Sequence, residues 1–539
     1  MSAPREPNVA FERLNWEVLI ADLQERFHCD VVAAENGITV SVRIQDLASL
    51  PALCRFLFWD VGCGFAGIVV EERSQEWELR YLFLARFAGW LEVLVRLPLA
   101  VTSLPSISAE VHSADWHERE AEDLFGLQFE NHPRLGDFVL HDQFWGEGLA
   151  PFRKRFDITR VHTNGQHNVS WRPLLVVRDP GAFAMPVGPV YEGGIGESVH
   201  FMLETVGEDV LRAVPRLFFN FRAVEKIAEG KDLDGALLLA ERFAAKSSFA
   251  HSWAFCQAVE RICGVNVPVR AKQLRIVLSE LERLRHHSGV IAGICESTAL
   301  SVSAAQAAII EERLLRNSCS FAGHRYLFGL NNPGGLRRDF SEQQCQGLVE
   351  GVRRAAEGLK DLEDQLSFTS SFMDRLEEAG IVSTESARDL NLVGPVGRAS
   401  GRGHDLRKEC PYGLYGQYEF GVPTENQGDG YARLRILFRE AYQSADLIRQ
   451  VVASLEEGPV LELCQPARGG AALGWAEAPI GAALHWVRID ESGLVERYRI
   501  ITPSFNNWLG FHVAVEDFAF QDFPIILATF GLSATECDR

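Results

Sequence analysis

Thiolates are the side chains best suited to hold a soft metal, and their spacing decides what they can bind. Eleven cysteines (Cys29, Cys54, Cys63, Cys256, Cys263, Cys295, Cys319, Cys345, Cys410, Cys464 and Cys537) are scattered over 539 residues. No two form a C-x-x-C pair, so they supply neither a zinc knuckle nor an iron–sulfur ligand set. The odd number and the lack of a framework fit a reducing compartment and buried thiols. Ionisable groups are densest between Ser113 and Leu135, where Glu118, Arg119, Glu120 and Asp123 alternate with Trp116, Phe125 and Phe129. Read alone, the aromatics are core anchors and the charges form a solvated helix face.

A chain of this length exceeds one ordinary core and predicts two or more domains. The hydrophobic fraction of 47% and charged fraction of 23% are those of a folded protein. The net charge of −20 argues against nucleic-acid binding. Phe56 to Val70 is the longest apolar stretch, but Asp60 interrupts it and it is too short to span a bilayer. The first residues lack the basic-then-apolar pattern of a signal peptide. A cytoplasmic chain follows, one that can still dock on a membrane protein.

The elements that would position any site are partly legible. Ile38 to Val42 and Trp77 to Leu84 have strand character. Asn164-Gly165 and Pro180-Gly181 mark a linker. Pro268 precedes Leu274, Val277, Leu278, Leu281 and Leu284, spaced for one helix face. Ser341 with Gln344 forms a capping box ahead of Leu348, Val352, Ala355, Leu359, Leu362 and Leu366, a helix-packing seam.

Trp116, Glu118, Arg119, Glu120, Asp123, Phe125 and Gly126, followed by His132-Pro133 and Leu135, resemble the W-x-E-R-E-x-x-D-x-F-G and H-P-x-L signature of the 30-kDa-type subunit of respiratory complex I. Pro151, Arg153, Lys154 and Phe156 are similar to its closing P-x-R-K-x-F element. From Pro186 the chain resembles the large subunit of membrane-bound nickel–iron hydrogenases of the formate-hydrogenlyase type (group 4), a lineage shared with the 49-kDa-type subunit of complex I. The landmarks include Phe249-Ala250-His251-Ser252, Arg398-Ala399-Ser400-Gly401, Ala476-Glu477-Ala478-Pro479 and Asp522-Phe523-Pro524. The resemblance implies an α+β docking domain over residues 1–165, a linker over 166–185, and a mainly α domain with small peripheral β-sheets over 186–539.

Such hydrogenases hold nickel and iron with two cysteines near the start of this domain and two at its end. In register with Phe249-Ala250-His251-Ser252, the first pair corresponds to Ala244 and Ser247, with Arg242 at the motif's arginine. In register with Asp522-Phe523-Pro524, the second pair corresponds to Ser533 and Glu536. The hydrogenase E-A-P-R-G run is here Glu477-Ala478-Pro479-Ile480-Gly481, so Ile480 stands where an arginine would flank the iron. Cys263 and Cys537 are out of register and read as buried or incidental thiols. In the complex I comparison, the quinone-contacting tyrosine corresponds to Ala245, and the H-P-x-x-H-G hairpin to Tyr191–Gly196, without its histidines.

The expectation is a chain with no metal and no cofactor of its own, belonging to the peripheral arm of a complex-I-like membrane assembly. The implied partners are an iron–sulfur small subunit carrying a [4Fe-4S] cluster, a ferredoxin-like subunit and membrane-embedded subunits, on the cytoplasmic face of the inner membrane. An alternative is a quinone- or small-molecule-reducing subunit with a remodelled pocket. Arg242, His200, His251, Glu477, Ser533, Glu536 and Asp538 are the polar pocket candidates. They form either a proton relay or, the reading put ahead, ion pairs that hold the two chain ends together. Arg337-Arg338-Asp339 and Arg398 read as structural or docking residues.

Overall fold

The computed structural model describes residues 15–33, 37–142, 145, 149–157, 159, 176–177, 179–189, 198–464 and 469–539. The segment corresponding to the H-P-x-x-H-G hairpin and most of the 166–185 linker lie outside these residues. The N-terminal part carries a five-stranded sheet in the spatial order Asp30–Ala33, Val40–Arg43, Gly89–Pro98, Glu76–Ala85, Gly64–Glu72. All neighbours are antiparallel except Val40–Arg43 with Gly89–Pro98, which run parallel. Both strands read from the sequence are present, the first from Val40 rather than Ile38. Behind the sheet lies the helix Asp115–Phe125, ended by Gly126 in the left-handed conformation.

The charges of that helix depart from the solvated-face expectation. Glu118, Arg119 and Glu120 are buried. Glu118 accepts from Ser106 Oγ (2.5 Å) and the Ile107 amide (2.8 Å), and Asp123 accepts from the amides of Val139 and Leu140. Glu120 faces Arg499 (2.5 Å) and Arg539 (2.9 Å) from the C-terminal part. Glu120 thus makes an interface with the C-terminal part, while Glu118 and Asp123 are buried on local hydrogen bonds and burial pushes their carboxyls up, to about 8 and about 7.

The strand Phe183–Val187 starts inside the assigned linker and pairs with His200–Val206 at the edge of a four-stranded sheet completed by Asp209–Arg216 and Phe518–Ala519. Four long helices follow. Val269–Ser297 packs against Ser301–Ala322 and Gly430–Ala453, and Glu342–Ser367 closes the ring against the last two. The Ser341–Gln344 capping box forms, and every apolar position of the predicted seam in the following helix is buried. Val269–Ser297 differs from the one-faced stripe its leucines suggest. Arg275, Glu280, Glu282, Arg283, Arg285, His286 and His287 are buried as well, so this helix runs through the middle of the molecule. A single core joins Leu19–Phe152 residues to Phe505, Trp508, Phe511 and Cys537, across the boundary between the two parts.

Candidate functional site

The site begins with the helix Ser248–Cys263. Its first turn donates the amides of Phe249 (2.7 Å) and Ala250 (3.0 Å) to Glu282, which reaches in from the central helix. Burial pushes the Glu282 carboxyl up to about 7. The three-stranded sheet Gly470–Ala478, Gly481–Ile489, Val495–Ile501 lies against the other side. Gly474 permits that approach: a Cβ there would sit 1.9 Å from the Ala254 carbonyl. Gly531 ends the helix Phe523–Phe530 in the left-handed conformation and turns residues 532–539 back into the interior.

These elements bring the chain's two distant segments together. Ser247 Oγ donates to Glu536 Oε1 at 2.6 Å, across 289 positions of sequence. His251 Nε2 lies 3.5 Å from the same oxygen, and the Ser504 amide reaches Glu536 Oε2 at 3.4 Å. Ser533 Oγ accepts the Glu536 amide (3.3 Å), and Thr502 Oγ1 donates to the Glu536 carbonyl (3.2 Å). Ala244, Ser247, His251, Ser533 and Glu536 are all buried. Burial works to raise the Glu536 carboxyl, but the His251 ring and the two serines hold it below its ordinary value.

From His251 a line of hydrogen bonds leads away. Its Nδ1 is 2.9 Å from His485 Nε2, and His485 Nδ1 is 2.6 Å from Tyr498 OH. Burial pushes His485 well below its ordinary value, so its ring is neutral. Asp538 gives its backbone carbonyl to Arg222 Nε (3.0 Å), and Arg539 reaches Ile500 O (2.6 Å), Glu225 and Glu120.

Glu477 belongs to a second network. Its Oε1 meets Arg398, and its Oε2 accepts the Leu406 amide (3.1 Å). Arg398 also faces Glu440 (2.6 Å) and Asp405 (3.1 Å). Asp405 bonds Arg407, Arg407 bonds Glu280, and Glu280 meets Arg283, while His287 lies 2.9 Å from Glu440. Three guanidinium groups thus face four carboxylates, all of them buried. Burial lowers His287, which leaves the carboxylates of this network one more than its guanidinium groups. Burial and the adjacent Asp405 push the Glu477 carboxyl up to about 7.

The family model described as respiratory-chain NADH dehydrogenase, 30 Kd subunit, matches residues 44–162. The model for the 49 Kd subunit of the same enzyme matches residues 307–468. An NADH-quinone oxidoreductase subunit of Campylobacter concisus (strain 13826) is 31% identical over 283 residues, covering 52% of this chain and 68% of that relative. The chain belongs to the family of complex I 30-kDa and 49-kDa subunits, with both parts in one polypeptide. Formate hydrogenlyase subunit 5 of Escherichia coli (strain K12) is 29% identical over 517 residues, covering 94% of this chain and 89% of the relative. A chain of the membrane-bound sulfane sulfur reductase, an archaeal respiratory membrane complex, shares the fold with a TM-score of 0.63 at 24% identity. It matches over 67% of this chain and 99% of its own length.

Ala244, Ser247, Ser533 and Glu536, which the sequence register pairs with the four hydrogenase cysteines, offer poor chemistry for nickel and iron. Ala244 has no donor atom, Ser247 gives its hydroxyl hydrogen to Glu536, and the remaining oxygen donors are hard where nickel and iron thiolate sites are soft. Among the described residues no group of three or more His, Cys, Asp or Glu side chains is placed to hold a metal ion.

The other sequence candidates separate. The Arg242 side chain is 54% exposed and pairs with Glu241. Ile480 is buried beside the turn into the strand Gly481–Ile489, where the Ile480 carbonyl fits only a glycine at 394. His200 lines a different cavity beside Arg216. Cys263 shares a hydrogen bond with Cys464, and Cys537 is buried. Sequence reasoning missed His485, Tyr498 and His287. The His286-His287 pair was visible, but nothing in its spacing pointed to Glu440, 153 positions away.

Proposed function

We propose that this chain is a hydrogenase-large-subunit-like component of the peripheral arm of a membrane-bound, complex-I-like redox or ion-translocating assembly, without a nickel–iron site and without hydrogenase activity of its own. The observation that carries this reading is the Ser247–Glu536 hydrogen bond, formed where two of the metal's thiolates would stand. A pocket that held a metal has become a buried tie between the start of the Ser248 helix and residues 532–539. No helix among the described residues is long and apolar enough to cross a membrane, so contact with the bilayer would come through partners. Those partners are membrane-embedded subunits, a ferredoxin-like subunit and a small subunit whose [4Fe-4S] cluster supplies the electron-carrying centre. The assembly sits on the cytoplasmic face. The alternative, reduction of a quinone or other small molecule in the same pocket, loses support because Ser247, His251 and Glu536 are buried there, with Ser247 bonded to Glu536 and His251 3.5 Å from the same oxygen.

The test is to purify the tagged full chain from its native membranes with its partners. The expected result is co-purification of iron–sulfur and membrane-embedded subunits, a [4Fe-4S] signal assigned to a partner, and no hydrogen-dependent dye reduction. Hydrogen-dependent dye reduction by that complex would overturn the proposal. So would isolation of the chain without any membrane partner.

A further inference from the structure

A cavity of about 540 Å³ lies where the helix Asp115–Phe125 and residues 134–138 of the N-terminal part meet the strands His200–Val206 and Asp209–Arg216 and the helix Pro503–Ala514. Its size is that of a small-molecule site. It is far in connectivity from the Ser247–Glu536 tie, none of whose residues lines it.

Two of the cations in its wall form no close ion pair among the described residues, although Asp115 and Asp137 act on both from farther off. Arg119 is only 3% exposed, yet no carboxylate among the described residues lies within ion-pair distance. Its Nη2 makes two long hydrogen bonds, to the carbonyls of Gly136 (3.2 Å) and Asp137 (3.3 Å). Its guanidinium stands 4.2 Å over the Phe138 ring, and its buried Nε has no hydrogen-bond partner. Burial and the neighbouring Arg134 push it down to about 10. Arg134 is half-buried, makes no ion pair among the described residues, and is likewise lowered by burial.

Three carboxylates, Asp115, Asp137 and Asp142, also line the cavity. Asp137 binds Arg216 at 2.6 Å, and Asp115 faces His132 at 3.3 Å. The Arg212 guanidinium is in turn held by Glu204 at 2.8 Å. The rest of the lining includes the Arg119 and Arg134 guanidinium groups and an apolar wall of Trp116, Leu135, Met202 and Leu509. A buried N–H left without an acceptor raises the free energy, and a bound anion would accept from it and add a close counter-charge to the two guanidinium groups.

We infer that this cavity binds a small organic anion, a carboxylate or phosphate on an apolar or aromatic body. The anion lies between Arg119 Nε–H and the Arg134 guanidinium, with the body against Trp116 and Met202. The site lies on the seam between the two parts, so an occupant would touch both and couple its own concentration to their association.

Binding of phenylacetate and phenyl phosphate to the full chain, followed by calorimetric titration, tests this, with acetate, inorganic phosphate and neutral phenylacetamide as comparisons. At least one aryl anion should bind saturably, at least tenfold more tightly than its non-aryl counterpart and than phenylacetamide. Arg134→Gln should weaken that binding at least tenfold with an unchanged melting temperature, while Arg337→Gln, on the exposed Asp234 pair, should leave it unaltered. The inference fails if neither aryl anion binds, if phenylacetamide binds as well as phenylacetate, or if Arg134→Gln binds like the wild type.

Discussion

Glu536 accepts the Ser247 hydroxyl, faces His251 and is sealed from solvent. Glu536→Ala would leave that hydroxyl and the Ser504 amide without their acceptor and cost about 3–5 kcal/mol, the range for breaking a buried charged contact. Glu536→Gln should cost less, because an amide oxygen still accepts from Ser247. The pH dependence follows from the lowered carboxyl. A group whose folded value lies below its unfolded one contributes stability above the unfolded value and loses it as the pH falls. The penalty of Glu536→Ala, measured by urea unfolding, should therefore be largest near neutral pH and shrink below about pH 4.

At the scale of elements, the Val269–Ser297 helix carries the network that ends at Glu477. Here the folded carboxyl is raised, from 4.5 to about 7, so its contribution is complete below the unfolded value and is lost as the pH climbs through about 7. Glu477→Gln should remove that loss. Between about pH 5 and pH 7 the stability difference between wild type and variant should change by about 1.4 kcal/mol per pH unit, readable from unfolding midpoints. This helix also marks how far sequence reaches. Leu274, Val277, Leu278, Leu281 and Leu284 announced a helix and one buried face. They carried no sign that Glu280, Arg283 and His287 on the other faces are buried too, because their partners Arg407 and Glu440 lie far away in sequence. Glu120 misled for the same reason: a carboxylate reads as solvated until the distant guanidinium groups that neutralise it, here Arg499 and Arg539, are known. Register with a family recovered what spacing could not. It placed Ser247 and Glu536 at one locus, and left Arg242 and His200 at positions where the fold takes them elsewhere.

Across the whole molecule, the N-terminal and C-terminal parts share a core and a buried cluster in which Arg497, Arg499 and Arg539 converge on Glu120 and Glu225. The wild-type chain should therefore unfold in one calorimetric transition despite its size. Glu120→Ala leaves Arg499 and Arg539 short of a counter-charge and should cost more than about 3 kcal/mol, splitting the transition in two as the N-terminal part melts first. A single unshifted transition in that variant would show that the shared core alone joins the parts. On the proposed reading, residues 244–247 and 533–536 form a structural tie in place of a metal site. Elemental analysis of the complex purified from its native membranes tests it most directly. Nickel should come out far below one atom per copy of this chain; one nickel per chain, retained through gel filtration, would mean that these residues still hold a metal.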